Sequence, residues 1–341
     1  MNLRQLAKEL NLSISSVSKA LRDSHEISSA TKKAVLAKAK ELNYQVNPFA
    51  SSLRKQKSKT IAVVVPEVAN DFFGPVISGM ESVAQEKGYH VLIYLTHEDM
   101  QKEVSIIKLL QNGRVDGVMI SLSEQTTSIA HLEELKEMPL VFFDRVAEHI
   151  DVPKITTDDY NSGFMATDHL IKNGCKRIAF MSISQNLSIS RKRMNGYLEA
   201  LKKNKIERDN SLILSCIGDA EENKDCIRKL LKRKNRPDGI FASVEKLAIA
   251  TYEICEELKL KIPRDVKVIC FSNSQTVALL NPSLTTITQP AYEMGEEAAT
   301  ILFKLIEKKR HHFLLENTIL DSKLIARNST KSKHNKNHNV L

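Results

Sequence analysis

The sequence predicts a small all-α module over residues 1–46 followed by an α/β body over residues 60–330, built as two lobes on doubly wound parallel sheets. Three observations predict it. Positive charge is concentrated at the front of the chain. Apolar residues there recur at helical spacing in three short blocks. From residue 60 onward, short apolar strands alternate with helical stretches, and the alternation stops and restarts once.

The chain has 341 residues, enough for two or three domains, and a net charge of +9. Residues 1–59 hold 12 Lys/Arg against 4 Asp/Glu, whereas residues 60–330 hold 35 against 37. A basic module on a near-neutral body suggests a polyanionic partner, and a merely solvated basic face is the alternative. The segment 331–341, KSKHNKNHNVL, reads as a disordered basic tail. No apolar run approaches the roughly 18 residues a membrane helix needs. The opening MNLRQLAKEL is a polar amphipathic helix rather than a leader, so a cytoplasmic protein with no membrane partner is expected. Cys175, Cys216, Cys226, Cys255 and Cys270 contain no C-x-x-C pair and read as reduced core thiols, neither a disulfide framework nor a zinc cage.

In the first block, Leu3, Leu6, Ala7 and Leu10 fall on one helical face. NLS interrupts it, and Ser13 is a good N-cap for a second helix, in which Val17 and Leu21 face inward. Ile14, Ser15, Ser18 and Lys19 are left facing out. A third helix follows, with Ser28 as its cap and Val35, Ala39 and Leu42 as its apolar face. Three short helices with a three-residue turn between the first two form a helix-turn-helix module. The small outward residues of the second helix suit a major groove about 12 Å wide, with hydroxyls for phosphates and Lys19 for a guanine edge or a phosphate. A three-helix bundle used for protein contact is the alternative.

Residues 47–59 read as a hinge. Asn47 can cap, Pro48 suits a first helical position, and Ala50 and Leu53 share one face. Such a helix is too short to be stable alone in water, and a plain linker is the other reading.

In the body, TIAVVVP, HVLIYL, DGVMIS and LVFFD are strands of the first lobe, and KRIAFMS, DGIFAS and VKVICF are strands of the second. The lobes are expected at about 60–158 plus 288–317, and 159–287 plus 318–330. Ligands of such sheets bind beyond the carboxyl ends of the strands. Those ends carry Glu67 to Phe73, Ser121, Asp144 and Arg145, then Ser184 to Arg193, Val244 and Ser272. Enzymatic signatures are missing: no G-x-x-x-x-G-K-[ST], no G-x-G-x-x-G, no G-x-S-x-G and no metal spacing among the ten His. Asp158–Asp159 reads as a helix cap, not a catalytic pair. No catalytic residue, cofactor or metal is expected.

The stretch LRQLAKELNLSISSVSKALRDSHEISSATKKAVLAKAKELNYQVNPFASSLRKQKSKTIAVVVP closely resembles the N-terminus of the lac repressor–galactose repressor (LacI/GalR) family of bacterial transcription regulators. The match continues through RVDGVMIS, FFDR, RMNGYLEAL, PDGIFAS and PSLTTITQPAYEMG, and covers residues 3 to about 328. The resemblance implies a DNA-binding headpiece, a hinge helix ordering on operator DNA, and a periplasmic-binding-protein-like sensor with a ligand cleft between its lobes. It places Ile14, Ser15 and Lys19 at base contacts and Ser13, Ser16 and Ser18 at phosphates. Leu3, Ser28, Thr31, Asn47 and Ala50 complete the expected DNA-facing set, and Leu53 is the minor-groove wedge. Lys19 and Ser51 stand where many members carry Arg, which makes a guanine contact at Lys19 less selective.

The resemblance also implies an effector site of Phe72, Phe73, Ser121, Asp144, Arg193, Val244 and Ser272. Val244 stands where family motifs carry Asn, and Glu245 and Ser272 where they carry Asp, so a less usual sugar or a related metabolite is expected. The chain ends without a leucine-heptad extension, so a homodimer on a palindromic operator is expected. A solute-binding receptor without DNA function is the alternative reading.

Overall fold

The computed structural model describes residues 2–44, 58–111, 113–135, 137–307 and 317–331. The hinge positions Asn47, Ala50 and Leu53, and the tail beyond Lys331, lie outside these residues. The chain divides into two units, Met1–Ser58 and Lys59–Leu341.

In the first unit, α1 (Leu3–Glu9), α2 (Ile14–Ala20) and α3 (Ser29–Glu41) each start on a side-chain cap. Asn2 and Gln5 bond reciprocally, each backbone N–H donating to the other's side chain at 2.9 Å. The Ser16 N–H donates to Ser13 Oγ at 3.0 Å, and the Thr31 N–H to Ser28 Oγ at 3.2 Å. Leu6, Ala7, Val17, Ala20, Val35 and Ala39 form the buried core, flanked by half-buried Leu3, Leu10, Leu21 and Leu42. A core this small leans on its caps, each worth about 1 kcal/mol.

The second unit holds two six-stranded sheets. The first contains β1 (Thr60–Val65), β2 (His90–Leu95), β3 (Val118–Ile120), β4 (Leu140–Phe143), β5 (Lys154–Thr157) and β11 (Asn317–Leu320). Its order is β11-β5-β4-β3-β1-β2, with every pair parallel. The second contains β6 (Ile178–Ser182), β7 (Ile213–Ser215), β8 (Gly239–Ala242), β9 (Lys267–Phe271), β10 (Thr285–Thr288) and β12 (Lys323–Ile325), in the order β12-β10-β9-β8-β6-β7. Helices α4 (Phe73–Glu86), α5 (Met100–Leu110) and α10 (Ala291–Glu307) serve the first lobe. Helices α6 (Asp159–Lys172), α7 (Ser188–Lys203), α8 (Ala220–Leu231) and α9 (Glu245–Glu257) serve the second.

The structure departs from the sequence expectation in two ways. The first sheet runs on to Leu320, because β11 pairs with β5 from Asn317↔Lys154 to Leu320↔Thr157; residues 318–320 therefore belong to the first lobe. The second sheet is not wholly parallel, since β12 pairs antiparallel with β10. β12 follows β11 of the other sheet across only Asp321 and Ser322 and returns along β10, from Thr286↔Ile325 to Thr288↔Lys323.

The chain therefore passes between lobes three times: after β5, after β10 and after β11. Two of these crossings are tied. Gln289 Nε2 donates to Thr157 Oγ1 at 3.1 Å, while Asn273 Nδ2 donates to the Gln289 carbonyl at 2.7 Å.

Helices α6 and α7 meet backbone to backbone at Gly163 and Gly196. A Cβ on Gly196 would lie 2.0 Å from the Tyr160 carbonyl oxygen, and one on Gly163 would lie 2.3 Å from that of Arg193. Gly196→Ala must push the helices apart, at a cost of about 1–3 kcal/mol. A lowered urea midpoint with unchanged m-value is the expected result.

Candidate functional site

A cavity of about 140 Å³ opens between the two sheets, with walls from both lobes and from the crossing at Gln289. It lies beyond the carboxyl ends of β1, β2, β4, β6, β8 and β9, where the strand loops converge.

Arg193 is the most constrained group in the wall, only 3% exposed. It projects from the second turn of α7. Its Nε donates to Asp159 Oδ1 at 2.7 Å and its Nη1 to the Ser243 carbonyl at 2.8 Å. Its guanidinium lies 3.5 Å from the centroid of the Phe271 ring. Asp158 caps α6 by accepting the Asn161 N–H at 2.9 Å, which leaves the adjacent Asp159 to meet Arg193. The pair lies within the second lobe. Burial pushes the Asp159 carboxyl up to about 6, although Arg193 pulls it down.

Asp144 follows β4 in the left-handed region, with φ 56°. It is 5% exposed, and burial raises its carboxyl above the usual range. Next to it, Arg145 Nη1 donates to both oxygens of Glu98, at 2.9 and 2.7 Å. Arg145 Nε is buried without a hydrogen-bond partner among the described residues. Ser272 Oγ donates to Glu245 Oε2 at 2.5 Å, so these two residues engage each other in the wall. Val244 contributes an apolar side chain at the start of α9. Phe72 and Phe73 meet edge to face at 5.2 Å; Phe73 is 1% exposed and packs edge-on to Phe143, so much of its ring is core.

Six of the seven expected wall residues thus meet around one cavity. Ser121 does not: its N–H still pairs with the Val64 carbonyl at 3.0 Å, so it belongs to the sheet ladder and its side chain is fully buried. Glu245, noted from the sequence as a motif position, also lines the wall, whereas Glu98, Ile183, Lys246, Phe271, Asn273 and Gln289 were not named. Phe271 and Asn273 flank Ser272 at a strand end and were within reach of the strand-end rule. Glu98 and Gln289 carried no such signal, because a turn and a lobe crossing bring them in.

In the first unit, Ser13, Ile14, Ser15, Ser16, Ser18 and Lys19 all sit on or cap the seven-residue α2. Ile14 is 42% exposed, unusual for so apolar a side chain beside a formed core. Ser13 and Ser16 share a hydroxyl hydrogen bond of 2.9 Å, and Ser28 and Thr31 one of 2.8 Å. Lys19 is held by Glu26 in an ion pair, and Arg22 bonds to Ser18. Leu3 is half-buried against the helical core.

Residues 58–327 match the family model described as periplasmic binding proteins and sugar binding domain of LacI family. The chain belongs to the LacI family. It is 30% identical over 335 residues to the ribose operon repressor of Halalkalibacterium halodurans, covering 98% of both chains. It is 29% identical over 331 residues to the transcriptional repressor CytR of Escherichia coli, covering 97% of this chain and 96% of that one. In fold it matches the lac repressor dimer bound to operator and an anti-inducer, with a TM-score of 0.85, 20% identity, and coverage of 97% and 99%. This LacI-family protein is a transcriptional regulator, as its relatives are. Among the described residues, no helix is long and apolar enough to cross a membrane.

The Asp159–Arg193 pair predicts a pH signature. A carboxyl whose folded value lies above its unfolded one stabilises the fold most at low pH, and that contribution fades as pH rises through about 6. The stability of the Asp159→Asn variant, compared with wild type by urea titration at pH 5 and pH 7, should lack this fall, of order 1 kcal/mol between those two pH values. Parallel pH profiles in the two proteins would contradict the assignment.

Proposed function

We propose that this regulator reads a palindromic operator as a homodimer, with α2 as the recognition helix of a helix-turn-helix headpiece. A small molecule bound between the lobes sets its operator affinity. The single observation carrying this reading is the cavity itself: its wall belongs to both lobes, so a ligand there changes the free energy of their relative placement.

The headpiece offers the chemistry for DNA. Ile14 and Ser15 stand exposed near the start of α2, and Lys19 follows one turn on. Glu26 must release Lys19 before the ammonium meets a base or phosphate, an exchange of one exposed ion pair for another and therefore inexpensive. The hinge over residues 47–59 then carries the wedge Leu53 into the minor groove.

The cleft favours a ligand rich in hydroxyls. Arg193, Asn70, Asn273 and Gln289 offer donors, and Glu67, Asp71, Asp144 and Glu245 offer acceptors. A sugar or related polyol donates and accepts around its whole rim and satisfies both sets. The coupling between effector and DNA is reciprocal and of order 1–3 kcal/mol.

The first experiment incubates the protein with fragmented genomic DNA, with and without candidate sugars, and sequences what is retained. Enrichment of one palindrome supports the reading, and no enrichment under either condition overturns it. On that palindrome, affinity should fall with salt at a logarithmic slope of about −0.9 per phosphate neutralised, near −5 for six contacts. Two substitutions separate the halves of the mechanism. Lys19→Ala should weaken operator binding about 10-fold or more with or without effector. Asp144→Ala should weaken effector binding about 10- to 100-fold, read by calorimetry.

A further inference from the structure

Outside the cavity, the two lobes grip each other through charges that take no part in its wall. Glu148 stands on the loop that follows β4. Val146 and Ala147, just before it, are buried in the same apolar cluster as Ile120 and Phe142, so the loop has a fixed base on the first lobe. Arg191 and Lys192 lie near the start of α7, on the second lobe. Arg191 Nη2 donates to Glu148 Oε2 at 2.7 Å, and Lys192 Nζ stands 3.3 Å from Glu148 Oε1. One carboxylate of the first lobe thus engages two cations of the second, one with each oxygen.

The pair is oriented from both sides. Arg191 Nη1 donates to the Asn186 carbonyl at 2.6 Å, which aims the guanidinium at the first lobe. Lys154, another cation near Glu148, spends its ammonium on the Ile150 and Val152 carbonyls, at 2.6 and 3.4 Å. A lighter contact joins the loop after β6 to the loop after β3, where Ser184 Oγ donates to the Glu124 carbonyl at 3.4 Å. The three charged side chains are 40–47% exposed, and within one lobe such pairs would add little. Their position gives them a different use. Parting the lobes breaks both pairs at once, so their whole free energy enters the equilibrium of lobe placement. Arg193 follows Lys192 directly, so the stretch of α7 that Glu148 holds also carries the guanidinium of the cleft wall.

We infer that Glu148, with Arg191 and Lys192, is an ionic latch that holds the lobes together before any effector arrives. Through lobe placement it also sets the operator affinity of the effector-free regulator, a step that rests on the function proposed above. An effector that seats with the lobes together is retained more tightly by the same factor that the latch contributes. Being ionic and half-exposed, the latch weakens with salt, as the screening length falls from about 30 Å at 0.01 M to about 3 Å at 1 M.

The test needs no effector. Spin labels are placed on the full chain through Lys108→Cys on α5 and Lys202→Cys on α7, both exposed positions, one on each lobe. The partly open Cys226 is replaced by Ser, and the other four native cysteines are buried. Unlabelled chain is added in excess, so that pulsed electron–electron resonance reads distances within one protomer. At low salt a single short distance should dominate. Glu148→Gln should raise the fraction at longer distance about 3- to 10-fold. Salt at 1 M should do the same to the parent chain and little more to Glu148→Gln. Glu148→Lys should part the lobes further, and adding Arg191→Glu and Lys192→Glu should bring them back. Equal distance distributions in the parent and Glu148→Gln, or no recovery on reversing both sides, would overturn the latch. On the palindrome retained from genomic DNA, the effector-free affinity of Glu148→Gln should differ from that of wild type by a comparable factor and return in the charge-reversed variant. Parted lobes with unchanged operator affinity would overturn the regulatory half. Failure of the wild type to retain any palindrome would instead overturn the proposed function, and the distances alone would then judge the latch. Circular dichroism of each variant shows that it is folded.

Discussion

The buried guanidinium of Arg193 holds the second lobe's side of the cleft in place. It joins three pieces of chain that no local rule brings together: Asp159 at the start of α6, the Ser243 carbonyl after β8 and the Phe271 ring at the end of β9. A charge at 3% exposure survives only when paired and hydrogen-bonded. Its partners must therefore stay where they are, and the wall between them stays with them. The glycine contact of α6 and α7 makes this possible, because it lets the helix carrying Arg193 approach the one carrying Asp159 at backbone distance.

The first lobe solves the same problem differently. Glu103 of α5 is fully buried and accepts from the Ser123 N–H, Ser123 Oγ and Thr126 Oγ1, at 2.8 to 3.0 Å, with His131 Nε2 beside it at 2.9 Å. One carboxylate thus pins the whole loop after β3. The neighbouring Glu98 takes Arg145 and the Glu124 N–H. Both lobes present a wall fixed by buried polar networks, and the chain between them crosses three times. Two fixed walls on a small number of crossings are what a ligand needs to convert binding into relative movement of the lobes.

The strands that sequence alternation revealed were the continuously apolar ones, such as β1 and β8, which are buried throughout, and the largely exposed edge strand β2. Lys154–Thr157, Ile213–Ser215 and Thr285–Thr288 were not legible, because short polar or threonine-rich segments resemble loops until a neighbour pairs with them. The site divides the same way. Phe72, Asp144, Arg193, Val244 and Ser272 follow strands or lie in motifs, and could be named from the chain. Glu98 and Gln289 enter through a turn and a crossing, and Ser121 was named but turned out to belong to the ladder.

By itself, then, the sequence determined the helical headpiece, the two-lobed α/β body and the family, because periodicity, charge segregation and ordered motifs are properties of the chain read in one dimension. Tertiary structure decided that Asp159 partners Arg193, that Ser272 engages Glu245 and that β12 runs antiparallel. Each of these is a contact between segments whose distance in space is set by sheet order and helix packing, and local propensity carries no information about that distance.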